Sequence, residues 1–340
     1  MKKSTIISVI KYILFLSLGL GLLWYVTKNQ DLNKLVGEFK TANYYWIGLA
    51  MFFGSLAHVS RAARWNLIIK SMGYKTRLST TFYAVMIGYF ANMLVPRLGE
   101  VSRCGVLSKN TKTPFNILLG TVVAERLFDS LCLLLLIIVV IFFQFEFLKG
   151  FLNNLIFKPL SLRFANSYST LIIITVIFVV VIVALYILYK MTNKHLKKMP
   201  FYAKLKRVLL GFAEGLKAIK HIENKWAFIL HTFFIWFMYF MMSYLCFFSI
   251  SATSHLHLAD GFTVLVMSSL GIVAPVPGGI GAYHFIIKLT LVELFAINPS
   301  SAISYAYITH TSQCALITIL GLFSFGVFFL RNKKIKNESH

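Results

Sequence analysis

The sequence predicts an all-α protein: a polytopic integral membrane helical bundle with two re-entrant or broken helices, arranged as an inverted repeat. Three observations carry that expectation. Hydrophobic residues make up 58% of the 340-residue chain and charged residues 13%, with a mean hydropathy of +0.75, too apolar for an ordinary water-soluble domain. Uncharged stretches such as 171–189 approach the roughly 20 helical residues that cross about 30 Å of hydrocarbon. Basic residues gather in short segments between apolar runs, the distribution that marks cytoplasmic loops.

The first apolar run, 6–26, carries one charge, Lys11, near enough to its start to reach the interface. No small-x-small cleavage pattern follows, so residues 1–43 read as an uncleaved anchor helix and its loop. A second helix is expected over 44–59. Segment 60–79 then holds Arg61, Arg64, Lys70, Lys75 and Arg77 with no acid, which puts it in the cytoplasm together with the N-terminus. His58, Arg61 and Arg64 read as the cytoplasmic end of that helix, where arginines snorkel or meet anionic lipid.

Segment 96–116 has four Lys/Arg against Glu100. With both Ser79 and Lys109 inside, the run 80–95 cannot cross; it enters, turns at Pro96 to Gly99 and returns along about 100–110. Run 117–143 then leads out and 169–189 leads back, although the loop between them carries two excess positive charges, the wrong sign for the outside. Linker 190–225 has ten Lys/Arg against Glu214 and Glu223, so it is cytoplasmic. Its alternation of basic and apolar residues, as in 204–210, reads as an amphipathic helix on an anionic lipid surface.

Helix 226–250 leads out to 251–261, which holds Asp260 and no Lys or Arg. Helix 262–276 meets a cluster of helix breakers, Pro275-Val276-Pro277-Gly278-Gly279-Ile280-Gly281, inside an apolar region. A return helix over 281–297 and a last helix over 303–330 lead to a basic cytoplasmic tail, 331–340. The chain thus divides into an anchor (1–43), a first half (44–143), a connecting helix and basic linker (144–225), a second half (226–330) and the tail. Each half holds a span, a helix broken by Pro and Gly, a return helix and a final span. Secondary transporters place such paired breaks near the bilayer midplane.

The formal net charge of +23 would suggest nucleic acid in a soluble protein. Here the loop pattern accounts for it, and no nucleic acid partner is expected. Cys104, Cys132, Cys246 and Cys314 have neither CxxC nor Cys/His ligand spacing, so no metal site and no disulfide framework are indicated.

Three constellations can carry chemistry. In Pro96-Arg97-Leu98-Gly99-Glu100 with Arg103, the two arginines can grip a phosphate, and Glu100 and Arg103 lie one turn apart, near enough to pair. The bland reading is a solvated turn. Glu125, Arg126 and Asp129 sit inside an apolar helix, where charges are costly, face the bundle interior and serve either a pathway or a structural ion pair, here with Arg97 or Arg103. In the third, Pro277, Gly278, Gly279 and Gly281 open a helix whose N-terminus suits an anion; a simple kink is the alternative. His284 with Lys288, and His310 in a polar patch early in the last helix, complete the set, with structural histidines as the plainer reading.

At these motifs the chain resembles the transmembrane region of lysylphosphatidylglycerol synthases and related stand-alone bacterial membrane proteins. The resemblance rests on Arg61 and Arg64-Trp65; Asn92 and Pro96-Arg97-x-Gly99-Glu100-x-x-Arg103; Glu125-Arg126-x-x-Asp129; and Pro277-Gly278-Gly279-Ile280-Gly281. It covers about 40–330. In full-length members this region is associated with flipping aminoacylated lipid, while a separate soluble domain makes that lipid. Ten residues follow Leu330, so lipid aminoacylation is not expected. Where the family often has an acid after the glycine motif, this chain has His284.

The resulting expectation is a flippase or transporter for a charged-headgroup phospholipid or polyprenyl lipid in the inner membrane, with both termini cytoplasmic and without cofactor, metal or catalytic residues. Arg97, Arg103 and Arg126 would hold phosphate; Glu100, Glu125 and Asp129 would neutralise or gate. Two other readings stand beside it: a membrane enzyme acting on a lipid headgroup with Glu125 or Asp129 as base, and a non-catalytic scaffold. A homo-oligomer is compatible with any of them.

Overall fold

A computed structural model of the chain describes residues 3–111, 113–143 and 222–337. The chain divides into two compact units, Met1–Val140 with Ala218–His340, and Ile141–Lys217; the first is described below. The expected helix at 169–189 and the basic linker lie outside the described residues up to 221. The described residues form ten α-helices, in order: α1 (Lys3–Thr27), α2 (Leu32–Thr41), α3 (Tyr44–Ser71), α4 (Leu78–Leu94), α5 (Leu98–Asn110), α6 (Phe115–Phe143), α7 (Lys225–Leu245), α8 (Leu258–Val273), α9 (Ala282–Phe295) and α10 (Pro299–Asn337). No strand occurs among the described residues. The protein is an all-α polytopic membrane protein, as its composition predicts.

Local chemistry sets the boundaries. Asp31 caps α2, its carboxylate accepting from the backbone N–H of Asn33 at 2.9 Å and Lys34 at 3.1 Å; Asn43 caps α3 through Tyr45 N at 3.1 Å. α2 has no counterpart in the sequence expectation, because ten residues with few apolar positions do not register as a span. α3 runs to Ser71, twelve residues past the expected end at 59, and stops at Gly73, whose φ is +84°. His58, Arg61 and Arg64 are therefore in the interior of α3, not at its cytoplasmic end. α8 opens with a capping box between His257 and Asp260.

Lengths decide which helices can span. At 1.5 Å per residue, the 28 residues of α3 and the 29 of α6 reach about 42–44 Å, enough for a hydrocarbon core of about 30 Å. By contrast α4, α5, α8 and α9 have 17, 13, 16 and 14 residues, about 20–26 Å. They form two hairpins of helices shorter than the long helices beside them. The stretch Pro277–Phe295 has the length and hydropathy of a span, but Gly278, Gly279 and Gly281 all take positive φ and divide it.

The first hairpin turns because Pro96 forces Val95 into extended backbone (φ −136°, ψ 119°) and Arg97 adopts φ +67°. Its arms then close to backbone contact at Gly88 and Gly99. A Cβ on Gly99 would overlap the Gly88 carbonyl and the Asn92 side chain. The second hairpin closes at Gly271, where a Cβ would meet Tyr283 Cα at 2.8 Å.

α3 and α7 run antiparallel: Asn43 N bonds Ser249 O at 2.8 Å at one end, Ser60 Oγ meets His231 Nδ1 at 2.8 Å midway, and Ile68 packs on Phe228 at the other end. Each is followed by a broken hairpin and a long helix. The two ends of the first hairpin share one core, in which Tyr74, Phe82, Leu107, Ile69 and Trp65 pack together, so Ser79 and Lys109 lie toward the same end of α3.

Candidate functional site

A charge cluster occupies the interior between α3, α5 and α6. Arg61 and Arg64, three residues apart, share one face of α3; Glu125 and Asp129, four apart, share one face of α6. Arg61 donates to Glu125 Oε1 at 2.8 Å and Asp129 Oδ2 at 2.7 Å. Arg64 donates to Asp129 Oδ1 at 2.6 Å, lies 3.4 Å from Glu125 Oε1 and reaches Thr232 Oγ1 at 3.2 Å. Arg103 reaches down from α5 to Glu125 Oε2 at 3.0 Å, its guanidinium 4.7 Å from the centre of the Trp65 ring. The Trp65 Nε1–H in turn donates to Thr121 Oγ1 at 2.9 Å. Glu125 and Arg64 are fully buried.

These contacts bear on the sequence reading at four points. Arg61 and Arg64 do not snorkel to lipid; they clamp the two carboxylates of α6. Glu100 does not pair with Arg103: it accepts from Asn92 Nδ2 at 3.3 Å and lies 3.5 Å from Arg126. Of the two ion-pair partners expected for Glu125, Arg97 or Arg103, it is Arg103 that makes the contact. His58 is buried at 6% exposure beside Tyr89. The signal was present: two basic and two acidic residues at helical spacing, each in an apolar run, match in number and pitch.

Arg126 stands apart from the clamp. Its side chain is 39% exposed and its close acid is at 3.5 Å, at the limit of a hydrogen bond; its Nε, like those of Arg61, Arg64 and Arg103, is buried without a hydrogen-bond partner. Arg126 lines two adjoining cavities. The first, about 320 Å³, is bounded by His58, Arg61, Tyr89, Asp129, Trp236 and Tyr239. The second, about 340 Å³, lies between the two helix breaks and is lined by Asn92, Arg97, Glu100, Gly278, Gly279 and His310. Tyr89, Ile272, Val273, Gln313 and Ile317 belong to both, so the two adjoin along a shared wall that includes Arg126, and together they are called the chamber.

The breaks meet directly: Gly278 lies against Met93, and Asn92 Oδ1 accepts from Gly99 N at 2.7 Å to hold the first tip in shape. Arg97, exposed and in left-handed backbone, faces the tip cavity. Pro277 and Gly281 sit behind the lining; Gly281 packs against the Gly19 backbone of α1. His284 lines neither cavity and is buried against His310, whose Nε2 lies 2.8 Å from Gly278 O. Lys288 turns away to Val26 O at 2.8 Å. The structure thus gathers Arg97, Glu100, Arg126, Gly278, Gly279 and His310 in one chamber, with Asp129 on its inner wall. Arg103 and Glu125 are committed to the clamp.

Chemically, the chamber offers a loosely held guanidinium, a second arginine at its mouth and backbone freed by two helix breaks, suited to an anion with polar substituents. Apolar residues ring the break, with Leu94 51% and Val273 72% exposed.

Comparison with known proteins finds membrane proteins of similar sequence. UPF0104 membrane protein MJ1595 of Methanocaldococcus jannaschii is 26% identical over 339 residues, covering 94% of this chain and 93% of its own length. UPF0104 membrane protein MJ1078 of the same organism is 26% identical over 254 residues, covering 74% of this chain and 100% of its own. No solved structure matches. Residues 9–321 match the family described as the lysylphosphatidylglycerol synthase TM region, and the chain belongs to that family.

Proposed function

We propose that this protein moves a lipid with a charged headgroup across the inner membrane, its termini in the cytoplasm. The headgroup passes through the chamber between the two broken helices while the acyl chains stay in the bilayer. The observation that carries this reading is Arg126: a guanidinium at the junction of two cavities with its closest acid at 3.5 Å, beside three arginines that are already ion-paired to Glu125 and Asp129. A charge at membrane depth is costly and marks a pathway when it is not paired off. Leu94 and Val273, apolar and exposed at the tips, support the view that the chains remain in lipid.

Headgroup phosphate is held in turn by Arg97 at the mouth and Arg126 at the junction. Asn92, Gln313 and the Gly278–Gly279 backbone supply neutral polar contacts along the way. Asp129 on the inner wall favours headgroups that also bear a cationic or hydroxyl substituent. Nothing in this scheme breaks a bond in the lipid.

The test is a proteoliposome assay with fluorescent phosphatidylglycerol and dithionite added outside. Wild-type protein is expected to expose the inner-leaflet dye to reduction, and Arg126→Ala to slow that exposure at least tenfold while remaining monodisperse. Equal protection with and without wild-type protein would overturn the reading. Recovery of a covalently altered lipid would replace it with enzymatic headgroup chemistry.

A further inference from the structure

A second polar cluster lies behind the tip cavity, between α9 and α10, and the transport scheme does not use it. The rings of His284 and His310 face each other with centroids 4.7 Å apart and planes at 62°, and both side chains are buried. Nε2 of His310 lies 2.8 Å from the Gly278 carbonyl. A carbonyl can only accept, so Nε2 carries the hydrogen, and in the neutral ring Nδ1 is the basic nitrogen. That nitrogen lies 3.8 Å from Cys314 Sγ, a weak partner. Nδ1 of His284 is buried without a hydrogen-bond partner.

The neighbours come from every packed element. Tyr283 of α9, its ring 5.0 Å from His310, donates its hydroxyl to Thr309 Oγ1 at 2.9 Å. Tyr307 of α10 has its ring 4.7 Å from His284 and its hydroxyl 3.0 Å from Thr27 Oγ1 of α1. Lys288 is turned to α1, and α8 contributes the Gly271 backbone against Tyr283. No carboxylate is among these groups. His310 also lines the tip cavity with Arg97, Glu100 and Arg126. Glu100 already accepts from Asn92 at 3.3 Å and lies 3.5 Å from Arg126, so a proton on the pair lacks a close counter-charge until the cavity holds an anion, which stabilises it.

We propose that His284 and His310 form a proton-binding site coupled to the tip cavity, so that an anionic headgroup and one proton bind together. This deepens the transport reading and rests on it. The proton passes from cavity water to Nδ1 of His310 and returns to water when the headgroup leaves; no bond in the lipid changes. Coupling is reciprocal: headgroup phosphate makes His310 a stronger base, and the imidazolium tightens phosphate binding. A second proton is opposed by the first, one ring away, so the pair takes up one.

The experiment is calorimetric titration of phosphatidylglycerol into the full-length protein in phosphatidylcholine nanodiscs, between about pH 5 and 8, in two buffers of different ionisation heat. Wild type is expected to take up as much as one proton per lipid, with affinity weakening as pH rises by up to about tenfold per unit. In His310→Gln the amide N–H keeps the bond to Gly278 O but cannot titrate. Its affinity is expected to be pH-independent, with no proton uptake. If that variant does not fold, His284→Gln reports instead, by moving the pH at which uptake occurs. Binding without proton uptake in the wild type, or uptake lost in Glu100→Gln and retained in both histidine variants, overturns the coupling and leaves transport standing. Absence of phosphatidylglycerol binding at every pH, together with no lipid movement in the dithionite assay, overturns both.

Discussion

Replacing Glu125 with Gln keeps its volume and removes the charge on which three guanidinium groups converge, at 2.8 Å, 3.0 Å and 3.4 Å. In the wild-type clamp Arg61, Arg64 and Arg103 face Glu125 and Asp129, one positive charge in excess; in the variant the excess is two, at a fully buried position. Removing one partner of a buried ion pair costs about 3–5 kcal/mol, because the charge left behind has lost its compensation. At roughly 2 °C per kcal/mol for a chain of this size, the unfolding midpoint should fall by about 6–10 °C. Adding Arg64→Met restores the original excess, so the double variant should be more stable than the sum of the single losses, by about 1 kcal/mol or more. Thermal unfolding of detergent-solubilised protein, followed by tryptophan fluorescence and size exclusion, reads both quantities. A midpoint within about 2 °C of wild type for Glu125→Gln, or strict additivity in the double variant, would mean that water or lipid already screens the cluster, and the clamp would not be the structural centre of the first half.

Gly99→Ala should lose about 2 kcal/mol or more and open the first hairpin, since its Cβ would overlap the Gly88 carbonyl and the Asn92 side chain. Gly105→Ala, on the same helix with open space around it, should be neutral or gain up to about 1 kcal/mol; unfolding midpoints of the two separate backbone contact from helix propensity. Arg97→Ala should weaken phosphatidylglycerol binding without lowering the unfolding midpoint, because Arg97 is exposed at the cavity mouth; a midpoint loss equal to that of Glu125→Gln would mean that it is structural. Lys70 at 2.7 Å holds the Glu223 carboxyl below the usual carboxylate range. Its small contribution is present above the unfolded pKa and lost as pH falls through the folded one, and both groups are so exposed that Glu223→Gln should leave the midpoint unchanged at neutral pH.

Much of this architecture could be read from residue patterning, for physical reasons. Apolar run length marks spans, and Pro96 and the Pro275–Gly281 cluster mark the breaks, because a missing N–H and positive-φ glycines act locally. What escaped the sequence were long-range pairings. Arg61 and Arg64 ended the apolar run and so resembled a cytoplasmic boundary, although no Gly or Pro lies between position 59 and Gly73 to stop α3. Only the facing carboxylates of α6, more than 60 residues away, make those charges tolerable inside. The same limit applies to Glu100, whose neighbour on its own helix, Arg103, is claimed by Glu125 and whose actual partner is on α6. His284 and His310 were each visible, but their facing arrangement depends on how α9 returns against α10.

The most direct test of the chamber is a cryo-EM map of the protein in nanodiscs containing phosphatidylglycerol. Headgroup phosphate density is expected between Arg97 and Arg126, with the acyl chains leaving past Leu94 and Val273 into the bilayer. Phosphate density confined to the outer rim of the helices, with the Arg126 guanidinium pointing into acyl chains, would contradict it.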